Sequence, residues 1–288
     1  MKKATPILIT LIICLFVAIY LNRTDSPEKA QRIEGQLTVH FIDVGQGDSI
    51  FIETGKETIL IDAGNKGQGQ TVISYLEKLH IQQIDTVIST HPDADHIGGL
   101  ADVINHYPVK AVYAPKVTHT TEAFKNFLLA VKKQDLKIKS VKQGVTIPTA
   151  VDGTTLEFLG PVKEYSKSDL NDWSAVLQLT HGANRFLFTG DSETPAEKDL
   201  LATNTLSTVD VLKVSHHGAK EASTPAFLNE INPTYAVISV GKGNRYGHPT
   251  SETLKRLKVI GATIIRTDQH GSIVFTSDGK NLSVKEER

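Results

Sequence analysis

One nine-residue segment, His91-Pro92-Asp93-Ala94-Asp95-His96-Ile97-Gly98-Gly99, constrains the fold of this chain more than any other feature. It places two histidines and two aspartates within six residues, directly after the apolar run Ile84–Thr90. Aspartate is common in short turns, but turn formation does not explain the two flanking histidines. In an extended loop, the side chains of His91, Asp93 and Asp95 can bind two different metal ions, and His96 adds a second imidazole nitrogen. The segment therefore predicts a metal site after a buried strand, and Gly98-Gly99 lets the next helix begin close to it.

Apolar periodicity predicts the secondary structure around this segment. The predicted strands are Leu37–Asp43, Ser49–Glu53, Thr58–Asp62, Ile84–Thr90, Lys110–Ala114, Thr154–Leu159, Ser174–Thr180, Arg185–Thr189, Val209–Val214, Tyr235–Val240, Thr263–Thr267 and Ser272–Thr276. The predicted helices are Thr71–Leu79, Gly98–Asn105, Thr121–Lys133, Pro195–Leu201, Thr224–Glu230 and Ser251–Lys258. Each half of the chain runs from strands into alternating helices and strands. This order predicts two sheets packed face to face with helices outside, a four-layer αββα sandwich, although an ordinary α/β domain fits the composition almost as well.

The N-terminus is predicted to be a single transmembrane helix. The apolar run Ala4–Leu21 has 18 residues, close to the roughly 20 that span a bilayer core. No small-residue cleavage site follows it, so an uncleaved anchor is expected, with a cleaved signal peptide and a secreted protein as the alternative. Lys2 and Lys3 favour a cytoplasmic N-terminus and an extracytoplasmic domain at the cell membrane. The predicted organisation is an anchor over residues 1–21, a polar linker over 22–35 and one domain over 36–288.

Composition excludes several classes of protein. The single cysteine, Cys14, can form neither an internal disulfide nor a cysteine-rich zinc module. A net charge of −1 argues against nucleic-acid binding through bulk charge. One segment, Lys110–Lys142, holds eight lysines against Glu122 and Asp135. This basic segment is either a surface that attracts a polyanion or a solvated helix face.

Six segments together resemble a known family. HPDADHIGG is similar to the H-x-H-x-D-H motif of metallo-β-lactamase-fold hydrolases, with Asp93 where the second histidine usually stands. The other segments are His40–Asp48, Thr58–Gly64, Phe188–Asp191, Lys213–Gly218 and Asn244–Pro249. Over nearly all of residues 37–277 they resemble the C-terminal metallo-hydrolase domain of the competence protein ComEC. ComEC proteins also carry a multispanning channel, so the resemblance does not imply DNA transport by a chain with one predicted span.

This resemblance implies a site for two divalent metal ions. One ion is expected on His91 and Asp93, and the other on Asp95 and His96, with Asp191 bridging both. The remaining assignments are His248 as a ligand of the second ion, Asn171 as a weak ligand or water-holding group near the place of a missing histidine, and His216 and His217 as catalytic residues. Of the last two, one can bind metal while the other hydrogen-bonds a substrate oxygen or donates a proton.

Simpler interpretations of some of these residues stay open. Asp191 could cap the helix that begins near Pro195, and His248 could be an ordinary loop residue. The early polar residues Asp43, Gln46 and Asp48 either support the metal ligands from outside or only shape a turn.

The expected reaction is metal-dependent hydrolysis. Two cations about 3.5–4 Å apart lower the pKa of a shared water, which then attacks phosphorus or a carbonyl carbon. Oxygen donors at Asp93 and Asn171 favour Mn²⁺, with Zn²⁺ as the other possibility. The resemblance and the basic segment favour DNA as the substrate. The alternatives are a cell-wall or small-molecule phosphodiesterase, and a non-catalytic DNA-binding module.

Overall fold

A computed structural model describes residues 35–288, which form two mixed β-sheets. The strands are β1 (Leu37–Phe41), β2 (Ile50–Glu53), β3 (Thr58–Ile61), β4 (Ile84–Ile88), β5 (Val109–Pro115), β6 (Ile138–Val141), β7 (Thr146–Ile147), β8 (Thr154–Phe158), β9 (Leu177–His181), β10 (Asn184–Phe188), β11 (Val211–Lys213), β12 (Tyr235–Ile238), β13 (Thr263–Arg266), β14 (Ile273–Ser277) and β15 (Leu282–Glu286). The first sheet has the order β15-β14-β1-β2-β3-β4-β5-β6, and the second has the order β13-β12-β11-β10-β9-β8-β7.

Helices connect the parallel strands, which cannot be joined by tight turns. They are α1 (Gly69–Lys78), α2 (Ala94–Ile97), α3 (Leu100–His106), α4 (Glu122–Lys133), α5 (Thr194–Ala202), α6 (Pro225–Ile231) and α7 (Ser251–Val259). A short helix, α8 (Thr267–His270), instead links β13 of one sheet to β14 of the other. Helices α4, α6 and α7 begin with threonine caps that accept a backbone hydrogen bond. Such a cap stabilises a helix by about 1 kcal/mol.

Three separate apolar clusters divide the domain into layers. The central seam is the cluster between the two sheets, and it contains Phe41 and Phe275 of the first sheet with Phe158, Phe186 and Phe188 of the second. A second cluster packs α1, α3 and α4 on the outer face of the first sheet, and a third packs α5, α6 and α7 on the second. Helix, sheet, sheet and helix therefore follow one another, which confirms the predicted αββα sandwich.

Most predicted elements lie within a few residues of their observed positions. The helix predicted over Thr71–Leu79 is α1, and the strand predicted over Ser174–Thr180 begins later, at Leu177. Strands β6, β7 and β15 were missed because much of their surface is exposed, so they lack an apolar run. The predicted anchor, and all of the predicted linker except Gly35, lie outside the described residues. Within residues 35–288, no helix is both long and apolar enough to cross a membrane.

Candidate metal centre

Strand ends bring the predicted ligands together. His91 follows β4, Asp191 follows β10, and His217 lies in a short 3₁₀ helix after β11. Because β4 is parallel to β3 and β10 is parallel to β11, the carboxyl ends of these strands share an edge within each sheet. The backbone N–H of Ala175 donates to the carbonyl of Thr90 (2.9 Å) and joins the two edges.

His91, His96 and Asp191 form the first cluster of possible ligands. One ligand atom of each residue lies within 4.8 Å of the others, and all three residues are buried. His96 Nε2 is 3.2 Å from Asp191 Oδ2, and the two imidazole centroids are 4.1 Å apart. Asp93 flanks this cluster, with Oδ2 3.6 Å from His91 Nε2. The residues predicted for the first ion therefore lie together, with His96 beside them.

A second cluster shares His96 with the first. It consists of Asp95, His96 and His217. His217 Nε2 is 3.4 Å from Asp95 Oδ2 and 3.4 Å from Asp191 Oδ2. Asp191, a member of the first cluster, therefore also reaches the second, as expected of a bridging carboxylate. His217, predicted as a catalytic residue, has its free nitrogen among the possible ligands.

The segment between the two histidines is not extended, contrary to the sequence-based expectation. Residues Ala94–Ile97 form one helical turn, and Asp93 occupies the position before it. The backbone N–H groups of His96 (3.1 Å) and Ile97 (3.0 Å) donate to the Asp93 carbonyl, which makes the turn more favourable than an extended chain. The helical turn, rather than strand-like alternation, separates the Asp93 carboxylate from that of Asp95.

The two glycines after this turn allow a close backbone approach, as predicted. A Cβ on Gly99 would lie 2.2 Å from the Ala63 carbonyl oxygen, and one on Gly98 would lie 2.3 Å from the Lys66 nitrogen. Real Cβ atoms do not approach backbone atoms so closely, so only glycine fits here. Helix α3 therefore begins directly against the loop after β3.

Hydrogen bonds at Nδ1 orient His96 and His91. His96 Nδ1 is 2.8 Å from Asp62 Oδ2, a contact that the sequence analysis did not assign. Thr90 Oγ1 donates to the same carboxylate (2.5 Å) and lies 3.1 Å from His91 Nδ1, from which it can accept. With Nδ1 engaged in each ring, the Nε2 lone pair faces the cluster, which is how metal-binding histidines are usually held.

His217 is oriented in the same way. Its Nδ1 donates to the carbonyl of Ser239 (2.9 Å), which leaves Nε2 as the free nitrogen. His216 and His217 have φ angles of 47° and 52°, in the left-handed region. This conformation costs roughly 1–2 kcal/mol per residue, and such strain is common at functional sites.

Lys213 is a fully buried cation that the sequence analysis left without a role. Its Nζ lies 2.5 Å from Asp48 Oδ2 and donates to the Gly190 carbonyl (3.3 Å). Asp48 also approaches Nδ1 of His217 (3.4 Å) and Nδ1 of His96 (3.8 Å). Of the two interpretations for Asp48, the structure supports contact with histidines that are possible metal ligands. The ion pair also joins the β1–β2 loop of one sheet to β11 of the other.

Glu193 links two of the predicted residues at the rim of the site. The Asn171 amide donates to Glu193 Oε1 (2.8 Å), and the same oxygen lies 2.9 Å from His216 Nδ1. His216 Nε2 is 3.8 Å from Asp191 Oδ2. Glu193, not Asp191, occupies the position before α5, so Asp191 is not the cap of that helix. Glu193 could not be predicted from the sequence, because a lone glutamate before a helix is ordinary.

The other predicted residues have different neighbours. The ring of His248 meets His216 edge-on, with centroids 5.5 Å apart. Asp43 pairs with Arg288, and the Gln46 side chain accepts a hydrogen bond from the Gly241 N–H (3.2 Å). Asp43 and Gln46 therefore brace neighbouring loops.

Carboxylates make the centre favourable for positive charge. Burial alone lowers the pKa of His217, but Asp191, Asp48 and Asp95 together raise it to about 10. The pKa of His96 is likewise lowered by burial and raised well above its ordinary value by neighbouring carboxylates, with Asp191 foremost. Conversely, burial raises the pKa of Asp191, while the histidines hold it well below its usual range. The carboxylates that stabilise positive charge on these histidines would stabilise a bound cation in the same way.

The residues of the two clusters fit divalent cations. Within residues 35–288, four buried atoms of the clusters lack a hydrogen-bond partner. They are Nε2 of His91, His96 and His217 and Oδ1 of Asp191. An unsatisfied buried polar atom costs roughly 1–3 kcal/mol, so four in one place indicate a ligand. Imidazole nitrogens and carboxylate oxygens are donors that Zn²⁺ and Mn²⁺ accept.

Comparison with known proteins identifies relatives over most of the chain. A family model described as the metallo-beta-lactamase superfamily matches residues 42–242. ComE operon protein 3 of Bacillus subtilis (strain 168) is 31% identical over 255 residues, which cover 82% of this chain and 32% of that protein. Competence protein ComA of Neisseria gonorrhoeae is 31% identical over 253 residues, covering 86% of this chain and 33% of that protein. The chain spans about a third of the length of these curated relatives.

A solved structure shares the fold. The metallo-beta-lactamase fold protein YhfI from Bacillus subtilis matches with a TM-score of 0.55 and 13% identity, over 84% of this chain and all of that one. The family model and the two curated relatives confirm the family resemblance inferred from the six sequence segments.

Replacing Lys213 tests the buried ion pair. Lys213→Met should lower the free energy of unfolding by about 3–5 kcal/mol, because Asp48 would remain buried without its partner. Lys110→Met is the matched control, since Lys110 is 61% exposed and pairs with Asp85 at 2.6 Å; it should cost no more than about 1 kcal/mol. Urea unfolding with chelator present measures both. Equal, small losses would contradict a structural role for the pair.

Proposed function

This chain belongs to the metallo-β-lactamase superfamily, and on that premise we propose that it is a dinuclear, metal-dependent phosphodiesterase that cleaves DNA. One observation supports a dinuclear centre above all others. Asp191 Oδ2 lies 3.2 Å from His96 Nε2 and 3.4 Å from His217 Nε2, so a residue of the first cluster also contacts the second. His91 and Asp93 would hold one ion, and Asp95 and His217 the other, with Asp191 and His96 next to both.

A divalent cation in such a site lowers the pKa of water and stabilises negative charge on a substrate oxygen. The chain contributes the fixed orientation of the ligands. Asp62 and Ser239 engage Nδ1 of His96 and His217, so neither ring has to reorient during the reaction.

His216 is the best placed residue to act on the substrate directly. Its Nδ1 lies 2.9 Å from Glu193 Oε1, so the carboxylate can stabilise a positive charge on the ring. Its side chain is one-quarter exposed, while those of His96 and His217 are almost fully buried. In this proposal, His216 Nε2 donates a hydrogen bond or a proton to the leaving oxygen of the cleaved diester.

The proposed substrate rests on two further observations. One relative is named as a competence protein, which favours DNA. All eight lysines between Lys110 and Lys142 are exposed, and Glu122, one of the two acids there, pairs with Lys66 at 3.3 Å. Lys116 follows β5, which runs parallel to β4, so it lies at the same sheet edge as His91. A polyanion attracted to Lys116 would be brought towards the metal centre, whereas Lys110, at the start of β5, lies at the opposite edge of the sheet.

The proposed location is the outer side of the cytoplasmic membrane. It is supported by Lys2 and Lys3 before the apolar run Ala4–Leu21.

Removing the bridging carboxylate tests the dinuclear mechanism. Asp191→Ala should reduce metal-dependent hydrolysis of a fluorescent DNA oligomer by more than about 100-fold. Mutating a residue that only hydrogen-bonds to a metal ligand already lowers metal affinity or activity about 10–100-fold, and Asp191 is proposed to bind the ions directly. The fold should persist, since the bond from the Asp191 N–H to Ser174 Oγ (3.0 Å) involves only the backbone of residue 191. Asp152→Ala, which removes an exposed loop carboxylate, is the control. A folded Asp191→Ala protein with near-normal turnover would refute the bridge.

Metal preference follows from the oxygen donor at position 93. Asp93 lies beside His91, so the first ion would have more oxygen donors than an all-imidazole site, and such donors suit Mn²⁺. We expect metal-stripped protein to regain more activity with Mn²⁺ than with Zn²⁺, and Asp93→His to shift the preference towards Zn²⁺. Titration of both proteins with each ion, with Asp152→His as control, measures this. Full activity with Zn²⁺ and none with Mn²⁺ would contradict the argument.

A further inference from the structure

The loop between β12 and α7 presents an exposed tyrosine near the metal centre. Tyr246 keeps 50% of its surface exposed. The Asn244 side chain fixes the loop beneath it: Oδ1 accepts from the backbone N–H of Tyr246 and of His248 (both 3.1 Å), and Nδ2 donates to the His248 carbonyl (2.6 Å). Gly247, with φ of 70°, completes the turn. The backbone of Tyr246 is thus held in place while its ring faces solvent.

A row of rings connects Tyr246 to the proposed metal ligands. The rings of Tyr246 and His248 are nearly parallel, at 26°, with centroids 5.9 Å apart. His248 meets His216 edge-on at 5.5 Å, and His216 Nε2 is 3.8 Å from Asp191 Oδ2. Two histidine rings therefore separate Tyr246 from the carboxylate at the centre of the site.

Arg245 adds a cation to this aromatic surface. Its guanidinium carbon lies 5.0 Å from the centroid of the Tyr246 ring, and Nη2 donates to the tyrosine hydroxyl (3.0 Å). Arg245 is itself exposed, so its side chain can move aside or cover a bound group. A nucleotide joins a planar base to a phosphate, and these two residues offer one partner for each.

We propose that Tyr246 and Arg245 form a platform on which one unpaired base of the substrate stacks, so that the enzyme prefers single-stranded nucleic acid. The inference rests on the phosphodiesterase function proposed above. Bases of a duplex are stacked on one another and are not free to bind the ring, whereas an unpaired base exposes a face. The Arg245 guanidinium, which lies over the ring and can move aside for a base, favours a nucleotide over a neutral sugar.

Tyr246 differs in kind from the other exposed large apolar side chains within residues 35–288. The other exposed large apolar side chains within residues 35–288 are Leu128, Leu129 and Val259, all aliphatic and on helices. An aliphatic side chain can cover a surface but does not present a flat π-face for a base. Tyr246 presents such a face on the loop that also carries His248.

The experiment compares two fluorescent oligomers of equal length, one of thymidine nucleotides and one in which every base is replaced by an abasic spacer. The full chain is assayed with Mn²⁺, and KM and kcat are measured for each oligomer. The wild type should have a KM about tenfold lower for the thymidine oligomer, the size expected for one stacked base. Tyr246→Ala should bring this KM ratio close to one, whereas Tyr246→Trp should preserve it. Val259→Ala, which removes another exposed side chain, is the matched control and should behave as the wild type.

The possible failures are distinguishable. A wild-type KM ratio near one, or a ratio unchanged in Tyr246→Ala, would overturn the platform while leaving the phosphodiesterase function intact. Absence of cleavage of both oligomers, with hydrolysis of a glycerol-phosphate polymer, would instead overturn DNA as the substrate. A third assay uses a glycerol-phosphate polymer that carries sugars. If Tyr246→Ala raised the KM for this polymer but not the KM for the thymidine oligomer, the ring would bind carbohydrate and the inference would be wrong.

Discussion

The contact between the Lys213 ammonium and the Asp48 carboxylate, 2.5 Å long and fully buried, connects the architecture to the chemistry. Lys213 ends a strand of the second sheet, and Asp48 lies in the β1–β2 loop of the first. Asp48 also approaches Nδ1 of His96 and His217. Burying two charges is costly unless both are paired and hydrogen-bonded, so the relative position of these loops is closely constrained. The same constraint fixes the two histidines that face Asp191.

Charge balance then determines what the centre can hold. Asp48, Asp62 and Asp191 are buried around one buried ammonium, and Asp93 and Asp95 lie at the margin. Such an excess of carboxylates is stable only with added positive charge, whether from protons on histidines or from bound cations. Since His96 and His217 use Nδ1 for fixed hydrogen bonds, Nε2 is the atom of each ring available to a metal ion.

The sequence was informative where chemistry is concentrated in a short segment. His91, Asp93, Asp95 and His96 are close in the chain, and the order of strands and helices in its two halves correctly indicated an αββα sandwich. Asp62, Lys213 and Glu193 were missed because their partners are 20 or more residues away, so no local spacing marks them. The prediction of an extended loop was wrong because the Asp93 carbonyl accepts hydrogen bonds from two backbone N–H groups, and these bonds favour a helical turn.

Direct location of the ions would test the central claim most simply. Crystals of the full chain grown with Mn²⁺ and measured for anomalous scattering would show where the metal binds. The account predicts two peaks on either side of the Asp191 carboxylate, one next to His91 Nε2 and the other next to His217 Nε2. A single peak that does not touch Asp191, or none among these residues at saturating Mn²⁺, would contradict a dinuclear centre built on this carboxylate.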